Sequence, residues 1–171
     1  MASIFGHALA SIAIGNSFSK KMTTWKFWLL GILCAIIPDA DVIGFHFNIK
    51  YNSFWGHRGF SHSLLFALLF GLCITILFYR KALFSKKGIG YLLFFTVCTA
   101  SHAVLDALTT GGLGVAFFSP FDTSRYFFPW RPIRVSPIGV GRFFTERGLI
   151  VLVSELIWIG IPTVVYILFV R

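Results

Sequence analysis

The chain has 171 residues, 57% of them hydrophobic and only 12% charged, whereas a soluble domain carries about a quarter charged residues. A soluble globular protein is therefore excluded, and the composition is that of a membrane protein. The net charge of +9 does not make it a nucleic-acid binder, because the basic residues are not gathered on one solvated face but fall into separate short connections.

In chain order, the first apolar run covers residues 3–18. It is shorter than a bilayer requires, so it either crosses a thinned membrane or forms a re-entrant or interfacial helix. No Lys or Arg precedes it, which argues against a cleavable signal peptide. Four further runs, at 25–47, 61–79, 88–108 and 148–170, have the roughly 20-residue length of a membrane helix. Between the last two lies a long connection, 109–147, rich in Gly, Pro and aromatic residues, which reads as an ordered loop lying over the helix ends at the interface. The fold class expected is all-α, a polytopic membrane protein of about five membrane helices forming one domain over 1–171.

Ionisable groups are costly in hydrocarbon, and this chain holds six Asp and Glu in all. Three of them stand with four of the five histidines in motifs at the ends of apolar runs. The motifs are Gly6-His7, Pro38-Asp39-Ala40-Asp41, His57-Arg58-Gly59-Phe60-Ser61-His62 and His102-Ala103-Val104-Leu105-Asp106. Threading five crossings in order puts every motif on one membrane face. Lys20, Lys21, Lys26, Arg80, Lys81, Lys86, Lys87 and Arg171 fall on the other, which the positive-inside rule makes cytoplasmic. The motif face would be extracytoplasmic. It also carries Lys50, Arg58, Arg125, Arg131, Arg134, Arg142 and Arg147, mostly in the long connection.

His102 and Asp106, at i and i+4, share one helical face about 6 Å apart along the axis and can chelate one ion. A histidine hydrogen-bonded to a local carboxylate is the plainer alternative. Asp39 and Asp41, two residues apart, would not share a helical face, but Pro38 suits a helix fraying at its end, which would let both turn inward. Two unpaired carboxylates near hydrocarbon favour a divalent cation, with solvation in a polar vestibule as the alternative. His57 and His62 flank the turn at Gly59, and His7 adds a further imidazole. Four His and three Asp without a thiolate favour zinc first and manganese second. Seven groups exceed one tetrahedral site, so either two ions bind or some of these residues support the ligands. Arg58 is a planar, permanently charged fork suited to phosphate or carboxylate. Glu155 reads equally as a supporting group, a base or an arginine partner. Asp122 and Glu146 read as arginine partners, His46 as an interfacial residue, and Cys34, Cys73 and Cys98 as small core residues.

This ordered set, together with Ser119-Pro120-Phe121 and Arg125, resembles the YdjM-like family of membrane-bound, metal-dependent hydrolases over nearly the whole chain. The order His, Asp, His, His-x-x-x-Asp is also similar to the ligand order of zinc-dependent phospholipases C and P1-type nucleases. That resemblance implies His7, Asp39, His57, His102 and Asp106 as metal ligands and a phosphoester as substrate. The later His and Glu ligands of those enzymes have no counterpart here, so one or two ions are expected rather than three.

The leading expectation is an inner-membrane metallohydrolase that cleaves a phosphoester or phosphoanhydride of a membrane lipid at the headgroup layer by metal-activated water. Arg58, Arg125, Arg131 and Arg134 would hold phosphate oxygens, and Asp41 or His62 would carry the proton. Alternatives are a membrane metallopeptidase or amidase, weakened by the lack of His-Glu-x-x-His, and a divalent-cation transporter, weakened because all the motifs lie on one face. Ser61, Ser63 and Ser101 adjoin histidines but lie in no Gly-x-Ser-x-Gly turn. No oligomeric state is indicated.

Overall fold

A computed structural model describes residues 1–170 of the chain; Arg171 and the side chain of Arg142, both counted above among the basic groups, lie outside the described residues. Seven α-helices are present among the described residues: α1 Ile4–Asn16, α2 Trp25–Ile36, α3 Leu64–Tyr79, α4 Lys86–Ala107, α5 Val140–Phe143, α6 Glu146–Glu155 and α7 Ile161–Val170. With their continuous extensions they give four stretches long and apolar enough to cross a membrane, Trp25–Phe47, Leu64–Ala82, Lys86–Ala107 and Glu146–Val170. These agree with the four long runs read from the sequence to within three residues at each end. The fifth run is α1, whose 13 residues reach about 20 Å, well short of a hydrocarbon core.

The helix starts follow local chemistry. Thr24, Ser63 and Ser85 each stand at a helix N-terminus and accept a backbone N–H from Phe27, Phe66 and Gly88, at 3.3, 3.0 and 3.2 Å. Each such cap contributes about 1 kcal/mol. Helix α1 is capped differently: the Glu155 carboxylate, from the end of α6, accepts both the backbone N–H and the hydroxyl of Ser3. At the other end of α1, the Ser17 and Tyr166 hydroxyls are 2.5 Å apart, so α1 runs parallel to the last span and is tied to it twice. Gly6 permits this approach, since a Cβ there would meet Ile159 and Glu155 at 2.9 and 3.0 Å.

Two helices depart from α geometry, each beside a proline. After α2 the chain tightens into a 3-10 helix, Ile37–Phe47, with Pro38 in its first turn and Asn48 closing it in the left-handed region at φ 58°. The expected fraying is thus replaced by tighter winding, because Pro38 has no N–H to continue the α pattern. Between α6 and α7 the chain widens into a π turn, Leu156–Gly160, just ahead of Pro162, which cannot donate to the Trp158 carbonyl.

Packing divides the surface sharply. Helix α3 buries only Ala67, Gly71 and Thr75, a stripe of small residues four apart. A Cβ at Gly71 would overlap Thr96, so this stripe is where α3 lies closest to α4. Elsewhere on α3, Leu64, Leu68, Leu69, Ile76 and Leu77 are exposed, as are Val97, Leu152, Val153, Val164 and Phe169 on other helices. Hydrocarbon, not water, suits such a surface. The interior at the lysine-bearing end is aromatic: Phe27 stacks on Phe94 with centroids 3.7 Å apart, against Tyr91, Phe95, Cys34 and Cys98. Cys73, expected in the core, is exposed on α3.

The connection from α4 to α5 is irregular but closely bonded. Val115 and Tyr126 exchange two backbone hydrogen bonds of 2.9 Å, Thr110 donates to the Ile133 carbonyl, and Phe128 donates to the Ala107 carbonyl at the end of α4. It therefore lies across the ends of α3 and α4, where the histidine and aspartate motifs meet.

Candidate metal centre

Three elements deliver the cluster. Asp39 comes from the 3-10 helix, His62 from the short turn Phe60–His62 ahead of α3, and His102 and Asp106 from the last turns of α4. Their donor atoms lie within 4.8 Å of one another, and all four residues are buried. His62 Nε2 and His102 Nε2 are 3.0 Å apart. Asp39 Oδ1 is 3.3 Å from His102 Nε2 and 3.7 Å from His62 Nε2, and Asp106 Oδ2 is 4.0 and 3.6 Å from the same two atoms. Donors bound at 2.0–2.2 Å to a tetrahedral ion stand roughly 3.3–3.6 Å from one another, and these five edges bracket that spacing.

Both oxygens of Asp39 and both ring nitrogens of His7 are buried with no hydrogen-bond partner, and Asp106 Oδ2 has only its ion-pair contact with Arg58. Leaving several buried polar atoms unsatisfied at one point costs about 1–3 kcal/mol each, more for charged groups. A cation at the centre of the four donors removes that cost, so the residues fit a divalent ion with nitrogen and oxygen ligands.

The surrounding groups hold these donors in place. His102 Nδ1 lies 2.7 Å from the Ala35 carbonyl, at the junction where α2 changes to 3-10 winding. A proton on Nδ1 donated to that carbonyl leaves the Nε2 lone pair aimed at the cluster. Asp41 accepts four donors: His57 Nδ1 at 2.7 Å, Ser61 Oγ at 2.6 Å, the Arg58 backbone N–H at 3.2 Å and His62 Nδ1 at 3.2 Å. The two aspartates thus divide their work. Residues two apart in a 3-10 helix point about 120° apart, so Asp39 reaches the cluster and Asp41 reaches the histidines behind it. Asp41, His57 and His62 form a second group of donors within 4.8 Å of one another, sharing His62 with the first.

Burial lowers the His57 imidazole below its ordinary value, with the Asp41 carboxylate opposing. Burial acts in the same direction on His62, but the carboxylates of Asp106, Asp39 and Asp41 around it overcome it and push the imidazole up to about 10. The metal-free cluster therefore holds a proton on His62, where an ion would need a lone pair.

His7 is buried and stacks on His102, with centroids 3.8 Å apart and planes 12° apart. Its Nε2 is 3.7 Å from Asp106 Oδ1 and 3.9 Å from Asp39 Oδ2, so it stands against the four-donor set without belonging to it.

The arginines are placed unevenly. Arg58 is fully buried in a left-handed turn, φ 64°. Its Nε is 3.0 Å from Asp106 Oδ2, Nη1 donates to the Gly111 carbonyl at 2.8 Å and Nη2 donates to Thr109 Oγ1 at 2.9 Å. The fork read as a phosphate contact is thus engaged with the cluster and with the connection above it. Arg125 donates to three backbone carbonyls, those of His57, Tyr51 and Ser53, and so ties the connection to the loop after the 3-10 helix. Arg131 is exposed, with its guanidinium 4.6 Å above the Phe127 ring. Arg134 is exposed, and its backbone N–H donates to Ser154 Oγ.

Three weaker readings are corrected or resolved. Glu155 caps α1 rather than pairing with an arginine. Asp122 accepts the Tyr126 hydroxyl at 2.7 Å and the Ser124 backbone N–H, with no arginine against it among the described residues. His46 is exposed on the 3-10 helix, away from the cluster. Sequence reasoning missed Ser61 as a donor to Asp41, Thr109 as a partner of Arg58, and Gly112. At Gly112, φ 95°, a Cβ would meet Arg58 Nη1 at 2.6 Å and the Tyr51 hydroxyl at 2.9 Å. The available signal was the Thr109-Thr110-Gly111-Gly112 run one turn after Asp106, polar and flexible where an apolar helix ends.

Comparison with known proteins agrees with this architecture. The family model described as "YdjM inner membrane protein" matches residues 1–171. The chain is also 38% identical over 162 residues to the inner membrane protein YbcI of Escherichia coli K12, covering 95% of this chain and 92% of that protein. No solved structure matches. With four apolar spans and a family match from end to end, the chain is a multi-pass inner membrane protein belonging to the YdjM inner membrane protein family.

Proposed function

We propose that this protein is a metal-dependent hydrolase that cleaves a phosphoester or phosphoanhydride of a membrane lipid at the headgroup layer. The observation that carries the reading is the set of buried carboxylate oxygens from Asp39, which has no hydrogen-bond partner, and Asp106 facing the two Nε2 atoms of His62 and His102. Zinc suits this set first and manganese second. Bound there, either ion would supply Lewis acidity and activation of water.

The chain's own residues do the rest. Asp41 draws the Nδ1 protons of His57 and His62 toward itself and leaves their Nε2 atoms free. Arg58 holds Asp106 Oδ2 in place and, through Thr109 and Gly111, fixes the connection that covers the cluster. The location supports a lipid substrate, since the cluster lies at helix ends rather than at mid-span. The lysine-rich loops at the opposite end would be cytoplasmic, and the site extracytoplasmic.

One observation favours a second reading, passage of a divalent cation: the four donor residues are sealed, none more than 7% exposed. Two measurements on the purified, reconstituted protein separate the readings. Metal-dependent release of phosphate from phospholipid or polyprenyl phosphate, lost with His102→Ala, is the expected result. Metal flux into liposomes without any hydrolysis would replace the hydrolase with the transporter.

A further inference from the structure

An apolar groove of about 370 Å³ runs along the outer side of the bundle, at the same end as the cluster. It is lined by Leu64 at the start of α3, Val104 near the end of α4, and Phe117, Phe118, Phe127 and Phe128 of the connection, with Tyr126 at its side. Its walls are fixed by backbone bonds: Leu64 donates to the Phe117 carbonyl, and Phe128 donates to the Ala107 carbonyl. Its volume falls within the roughly 300–1,000 Å³ of small-ligand sites. Leu64, Val104, Phe118 and Phe128 are each between 39% and 53% exposed, so the groove is open toward the surrounding hydrocarbon.

Cations flank one wall residue of this groove, Phe127. Phe127 carries the Arg131 guanidinium 4.6 Å from its ring, and the buried Arg58 guanidinium lies 6.0 Å from the same ring. Arg58 is compensated by Asp106; Arg131 has no carboxylate within 4.0 Å among the described residues. An apolar channel with an uncompensated, exposed arginine stacked on one of its wall residues is complementary to a molecule with a hydrocarbon chain and an anionic head. Phe127 also joins this groove to the cluster, since it touches the arginine that holds Asp106.

We propose that the groove seats a hydrocarbon chain of an anionic phospholipid, with its phosphate against Arg131. This rests on the hydrolase reading only in treating the seated lipid as a substrate; the binding itself requires no turnover. Val104 is two residues from both His102 and Asp106 but lies on the opposite side of α4, so the groove can be altered without touching a proposed ligand.

The test uses full-length protein in phosphatidylcholine nanodiscs containing a small fraction of phosphatidic acid with a diazirine in its acyl chain. Adducts are mapped after illumination by mass spectrometry. They should concentrate on Leu64, Val104, Phe117 and Phe128 and be displaced by excess unlabelled phosphatidic acid, but not by added phosphatidylcholine or inorganic phosphate. Arg131→Gln should reduce labelling about fivefold, the effect of one lost headgroup contact at a membrane surface. Val104→Trp, which fills the groove, should reduce it further, with both variants eluting as the parent does on size exclusion. Labelling should persist in His102→Ala, so failure of the hydrolase reading would leave this result standing. Adducts spread evenly over the exposed faces of α3, α4 and α7, or labelling indifferent to Arg131→Gln, would overturn the proposal.

Discussion

The two ends of α4 are built from the same stacking geometry and opposite chemistry. At one end Phe27 lies on Phe94 with centroids 3.7 Å apart and planes at 12°; at the other His7 lies on His102 at 3.8 Å and 12°. The phenyl pair is complete as it stands, because burying carbon leaves no polar atom wanting a partner. The imidazole pair is equally well packed, yet both nitrogens of His7 and the carboxylate of Asp39 beside it are unsatisfied. Packing alone therefore explains the first end and leaves the second unexplained unless an ion belongs there.

The largest effect is expected from His102→Ala, which should remove bound metal, read by elemental analysis of the purified protein, and abolish any turnover; undiminished metal would end the comparison. Next, Phe94→Ala should cost about 3–5 kcal/mol of stability, read by thermal or denaturant unfolding in detergent, with metal content unchanged. Asp41→Asn should weaken metal binding by about 10–100-fold while the protein stays folded, as measured by competition with a chelating dye.

The pH dependence has a definite sign. His62 holds its proton up to about 10 in the metal-free cluster because three carboxylates surround it, so an entering ion displaces that proton at neutral pH. Affinity should rise by about tenfold per pH unit, and fall as the pH is lowered, with about one proton released per ion in a weakly buffered titration. The smallest effect is expected from His7→Phe, which keeps the stack on His102: metal affinity should change by less than about tenfold. A complete loss of metal there would make His7 a ligand.

Much of this was legible in the sequence, for reasons particular residues make plain. The four spans were readable because about 20 apolar residues in a row have few alternatives to a membrane helix. The kinds of groups in the cluster were readable because hydrocarbon does not tolerate them without a purpose, but their division was not: the sequence offers His57 as a ligand and His62 as a proton carrier, whereas His62 stands among the four clustered donors and His57 behind it with Asp41. The division between Asp39 and Asp41 was not readable. It depends on the 3-10 winding after Pro38, and a proline announces a break in an α-helix without specifying whether the chain frays or tightens. Arg58 was misleading because its chemistry suits phosphate equally well; only its left-handed backbone and its burial turn it onto Asp106. Glu155 gave no signal of its partner, since a cap supplied across 152 positions leaves no local pattern. The connection over the site, held by scattered bonds between distant residues, has no periodicity to read.

The double attachment of α1 bears on the order in which the molecule is assembled. His7 reaches the cluster on a helix whose start is capped by Glu155 and whose end meets Tyr166. Both anchors belong to the span Glu146–Val170, which follows the donor-bearing segments along the chain. Asp39, His62, His102 and Asp106 can meet as soon as the third long span is inserted, whereas the imidazole that stacks on His102 is secured only once the fourth is in place as well. The seating of His7 thus reports that the fourth long span has been inserted.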